Sequence, residues 1–140
     1  MTESGGYSPK DLHFGKDGQS KLISGITKLS DAVKSTLGPM GNTVLIESPH
    51  HTHGITVTKD GVTVAKSIQL LDPVENLAVQ MMKEAADRTA SEAGDGTTTA
   101  IVLTEAIVKA GMELITPKDN KTEILRELVS HTEDVIGCLK

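Results

Sequence analysis

Tyr7 and Phe14 are the only aromatic residues in this chain of 140 residues, which has no tryptophan. Without rings to fill an interior, any core has to be built from Leu, Ile, Val, Met and Ala. Such side chains pack well between helices, so a mainly α architecture is expected. A hydrophobic content of 37% and a net charge of −5 fit one globular unit rather than several.

The same numbers exclude some partners. An acidic chain lacks the general attraction that nucleic-acid binders use, and two rings offer no platform for stacking bases. No run approaches the roughly 20 apolar residues that cross a bilayer, so no membrane contact is expected. The polar start has neither a signal-peptide core nor an arginine-rich transit character, which points to a cytoplasmic location. Cys138 is the single cysteine, so no internal disulfide can form. Its neighbours Gly137 and Leu139 supply no base and no positive field, and it reads as an ordinary helix thiol.

Along the chain, residues 1–10 are rich in Ser, Gly and Pro and read as a flexible tail, and residues 11–140 read as the ordered unit. Residues 11–14 could pair as a short N-terminal strand. Leu22, Ile26, Leu29, Val33 and Leu37 recur at steps of three or four and mark a helix from about Asp17, stopped by Gly38-Pro39. Two alternating runs, 43–47 and 55–58, flank a turn-rich connection and read as a β-hairpin. Asp72 as cap and Pro73 at the first position announce a second long helix with Val74, Leu77, Met81 and Ala85 on one face, ending near Gly94. Residues 97–115 are apolar almost all round and read as a core helix. Asn120 and Glu123 form a capping-box pattern for a last helix that runs to Lys140. No Gly, Asn or Pro closes that helix, from which a truncated chain with an incomplete domain is expected.

The string Gly94-Asp95-Gly96-Thr97-Thr98-Thr99 opens the apolar helix. A glycine-flexed turn there exposes the first free amides and the positive end of the helix dipole, which suits a phosphate. Three hydroxyls add donors, and Asp95 offers the hard oxygen that Mg²⁺ prefers. An isolated Asp-Gly-Thr is more often a plain turn with a capping threonine, and the run of three threonines weighs against that reading. Thr36-Leu37-Gly38-Pro39 and Thr58-Lys59-Asp60-Gly61 could complete a nucleotide pocket: Lys59 could neutralise phosphate charge and Asp60 could orient water or metal. No P-loop or dinucleotide-binding glycine string is present, so the site has to be of another type.

Three strings carry a resemblance. They are Asp31 through Asn42 with its Leu37-Gly38-Pro39, Ile55 through Ala65 with its Thr58-Lys59-Asp60-Gly61, and Ala93 through Thr99. In order and spacing the chain resembles the start of a group I (GroEL-type) chaperonin, over about residues 11–140. Lys59 before Asp60-Gly61 looks like the bacterial and organellar group. The resemblance implies the N-terminal half of an equatorial ATP-binding domain, a helical bundle with a small hairpin. It implies that Thr36, Leu37, Gly38 and Pro39 line ATP and its phosphates and that Lys59 approaches them. Asp95 would hold Mg²⁺, Gly96, Thr97, Thr98 and Thr99 would wrap the phosphates, and Asp60 would assist hydrolysis.

It also implies partners. Identical or related subunits would form a double ring of seven-membered rings, with the hairpin pairing to a neighbour. Co-chaperonin and unfolded polypeptides would be bound through intermediate and apical domains absent here, so this chain alone is expected to be inactive as an ATPase. Met40 stands where the family usually has Lys, Thr43 follows Asn42 where Arg-Asn is common, and the hairpin loop is about two residues longer. A non-catalytic paralogue that docks on a complete ring, or an inert fragment, are the competing expectations. His50, His51 and His53 crowd one loop and read as a polar tip rather than a metal site. Met81, Met82 and Met112 read as helix filler, and His131 as a helix-face residue.

Overall fold

The computed structural model describes residues 11–47 and 54–139. The tail at 1–10 and the histidines of the hairpin loop lie outside them. Among the described residues there are five helices and one hairpin: α1 (Gly15–Lys34), β1 (Val44–Glu47), β2 (Ile55–Thr58), α2 (Gly61–Ser67), α3 (Pro73–Ala93), α4 (Thr97–Leu114) and α5 (Lys121–Leu139). The expected mainly α fold with a small hairpin is what the chain adopts. Residues 11–14 make no ladder: the sheet consists of β1 and β2 alone, antiparallel, with Val44 opposite Thr58 and Glu47 opposite Ile55.

Contacts divide the chain into two compact units, residues 1–106 and 107–140, with the boundary inside α4. In the first, Leu29 and Val33 of α1 meet Ala65 of α2, Val79, Met82 and Ala86 of α3, and Ile101 of α4 in one core. α1 ends at Lys34, a turn earlier than its apolar spacing predicts. The amides of Thr36 and Leu37 bond to the carbonyls of Val33 and Lys34, three residues back. Such tighter bonds close the last turn where Pro39 forbids the helix to continue through Gly38.

α3 begins as its sequence predicts. Asp72 accepts from the amides of Val74 and Glu75 at 2.8 and 3.2 Å, and also from Lys21 Nζ at 2.9 Å. Lys21 and these amides hold the Asp72 carboxyl below the usual range. The helix closes on Gly94, whose φ of 78° is left-handed. Its buried face, however, is Ala78, Val79, Met82 and Ala86, while Leu77 and Met81 lie exposed. Small residues let α3 approach α1 closely, and that closeness outweighs the larger apolar area on the other side. Lys83 reaches from α3 to the end of α2, donating to the carbonyls of Lys66 and Ile68 at 3.0 and 2.6 Å, and burial pushes its pKa down.

α4 is not buried all round. Thr97, Ile101 and Glu105 are its buried residues, and Leu103 and Ile107 are exposed. In the second unit, Thr116 and Asp119 build a tight turn, with Thr116 donating from N and Oγ1 to Asp119 Oδ2 at 2.7 and 2.8 Å. Asn120 Oδ1 accepts from the Glu123 amide at 3.4 Å, as the capping box predicts, while Glu123 Oε2 accepts, also at 3.4 Å, from the Asn120 side-chain amide rather than from its backbone N–H. No residue of α5 is buried.

Candidate functional site: the α4 N-terminus

Three segments distant in sequence meet at Gly61. A side-chain carbon there would stand 2.8 Å from Thr98 Oγ1 and 3.0 Å from Thr36 Oγ1. Only a hydrogen fits between two hydroxyls so placed, so the end of α1, the start of α2 and the start of α4 are drawn together at this glycine. The sequence pattern named Thr36 and Thr98 as candidates, and the fold brings them to one point.

The turn into α4 has the geometry an anion site needs. Gly94 and Gly96 take φ values of 78° and 92°, which L side chains rarely adopt. The Gly96 carbonyl already accepts from Ala100 at 2.8 Å, so α4 winds from its first residue. The amides of Thr97, Thr98 and Thr99 take no partner among the described residues. They are the orphan donors of a helix start, backed by the positive end of the dipole. Asp95 is exposed, and its Oδ1 accepts the Gly96 amide at 2.6 Å. That bond uses one lone pair and leaves the carboxylate open to a cation from solvent.

Asp60 sits one residue from the junction and caps α2. Its Oδ1 accepts from Val62 N at 3.2 Å, and its Oδ2 from Thr63 N at 3.0 Å and Thr63 Oγ1 at 2.5 Å. The Thr63 hydroxyl, then the Thr63 and Val62 amides, hold its carboxyl below the ordinary value. Asp60 is therefore ionised near neutrality and engaged with its own helix. Lys59 is exposed and makes no ion pair among the described residues. Thr36 donates its hydroxyl to Val33 O at 2.7 Å. Leu37, Gly38 and Pro39 form an exposed turn, braced by Gly41 N to Gly38 O at 3.0 Å and Asn42 N to Ser35 O at 2.7 Å.

The cradle is open surface. A gap of about 10 Å³ beside Thr97 and Ile101 is too small for a ligand, and a shallow trough of about 600 Å³ runs along α3 past Leu77, Glu84 and Arg88, away from the cradle. Sequence reasoning missed Gly61 as the junction and Glu105 as a buried carboxylate. A lone acid in the apolar run of α4 was the available signal for the second.

The chain belongs to the TCP-1/cpn60 chaperonin family, whose model matches residues 29–140. It is similar to the chaperonin gp146 from the bacteriophage EL 2 (Pseudomonas aeruginosa), whose structure was solved in the presence of ATP-BeFx. In one crystal form the match has 39% identity and a TM-score of 0.66, covering 73% of this chain and 18% of that one. In another it has 43% identity and a TM-score of 0.60, covering 66% and 16%. This chain thus spans less than a fifth of that protein's length.

Proposed function

We propose that this chain is the nucleotide-binding segment of a group I chaperonin, the N-terminal half of its equatorial domain, serving ATP-driven protein folding. The observation that carries this reading is the meeting of Thr36 and Thr98 at Gly61, beside three amides without a partner. That the similar phage chaperonin was solved in the presence of ATP-BeFx supports it. The donor set fits the group: Thr97, Thr98 and Thr99 hold phosphate oxygens, and Lys59 brings positive charge toward them. Asp95 supplies an exposed carboxylate for Mg²⁺, which when bound neutralises phosphate charge and polarises the terminal phosphoryl group. Asp60, kept ionised by its cap bonds, orients a water at the edge of the cradle. Thr36, Leu37, Gly38 and Pro39 wall the nucleotide on the α1 side.

Calorimetry with ATP and Mg²⁺ on the full chain tests this reading. Binding is expected in the micromolar to millimolar range, and Asp95→Ala is expected to abolish the magnesium-dependent part. A folded chain that takes up no heat at millimolar ATP rejects the assignment.

A second reading is favoured by the hairpin, where Leu45, Ile55 and Val57 are all more than 60% exposed. Such a strand pair suits docking on an identical or related subunit of a ring. On that reading the chain is a non-catalytic paralogue. Retention on an intact chaperonin ring is then lost when residues 43–58 are deleted, and retention without them rejects it.

A further inference from the structure

Glu105 is 1% exposed, the one charged side chain buried outright among the described residues. It interrupts an otherwise apolar stretch of α4 and has no part in the cradle itself. Its Oε2 accepts from Ser30 Oγ at 2.7 Å and from Lys34 Nζ in a short ion pair. No buried side-chain nitrogen or oxygen among the described residues lacks a partner, so the acid is held rather than stranded. Ser30 and Lys34 stand one turn apart on α1, and both grip the same oxygen.

The placement links this clamp to the cradle at both ends. On α1, Lys34 is the last helical residue, and Thr36 follows two residues later. On α4, Thr98 precedes Glu105 by two turns, roughly 10 Å, on the same face. Ile101, between them, is buried in the core. The two helices are therefore tied twice, through Glu105 and through the Thr36–Gly61–Thr98 junction. Apolar packing at Ile101 tolerates rotation and sliding, because dispersion has no direction. A carboxylate gripped by a hydroxyl and an ammonium does not, because hydrogen bonds fix direction and distance. At Gly61 there is no slack to absorb a shift.

We propose that Glu105 is a positioning residue of the nucleotide site: its grip on Ser30 and Lys34 sets the stagger of α4 on α1, and so the spacing between Thr98, which holds the phosphates, and Thr36, which walls them. The inference rests on the nucleotide-binding reading above and adds a control point outside the cradle.

Three variants of the full chain separate alignment from stability. E105Q keeps the volume and the bond to Ser30 but loses the ionic grip. K34M takes away the α1 cation that grips the acid. K34M/E105Q removes both charges of that pair. The melting temperature is expected to fall in K34M and to return toward the wild-type value in the double variant. Affinity for ATP with Mg²⁺, read by calorimetry, is expected to drop about tenfold in E105Q and to stay about tenfold low in the double variant, as between linked sites. Affinity that recovers together with the melting temperature overturns the proposal and makes Glu105 a stability element only. Absence of ATP binding by the wild type rejects the functional reading instead. Alignment is then read without nucleotide, from amide resonances. Shifts at Gly61 and Thr98 in E105Q support positioning, and shifts confined to the surroundings of Ser30 and Lys34 overturn it.

Discussion

At Gly61 a single missing carbon decides how three segments pack. Gly61→Ala places that carbon 2.8 Å from Thr98 Oγ1, so either the hydroxyls part or α2 moves. The expected cost is about 1–3 kcal/mol, as for other overpacked interiors. The loss of nucleotide affinity is expected to exceed what that destabilisation explains, and paired denaturation and calorimetry measure both. The residue chemistry of the cradle was legible in sequence because it is local: glycines flank an acid, and threonines open a helix. The roles of Gly61 and Glu105 were not, because each depends on a neighbour dozens of positions away. Asp60 shows the limit from the other side. Its type and place were read from the string, but its two oxygens proved to be engaged with Val62 and Thr63.

Among the elements, start and stop signals were read more accurately than faces. Asp72-Pro73 and Gly94 bound α3 where the residues say, because capping is a contest among nearby groups. The face it buries is not the one with the largest side chains, because Ala78 and Ala86 allow the nearer approach. α4 is expected from its composition to be enclosed, yet Leu103 and Ile107 lie open. What covers a helix is a property of everything around it and is not written in its own period. α5 is the extreme case, with apolar residues at helical spacing and none buried. Most of a helix's stability in a protein comes from packing its apolar face, which α5 does not bury. Its amides are therefore expected to exchange with deuterium far faster than those of α1 and α3. Equal protection across the three would contradict the exposure seen for α5.

For the molecule as a whole, family membership rests on 29–140, and no helix among the described residues is long and apolar enough to cross a membrane. The first unit carries the whole core and the whole cradle. A net charge of −5 surrounds a surface on which Leu45, Ile55, Val57 and the apolar residues of α5 meet water. Mutual repulsion keeps such molecules apart only while ions do not shield it. Concentrated solutions of this chain will therefore scatter more light as sodium chloride is added, and less when the strands bearing Leu45, Ile55 and Val57 carry lysine instead. The greasy ribbon is a colloidal hazard that only like charge holds in check.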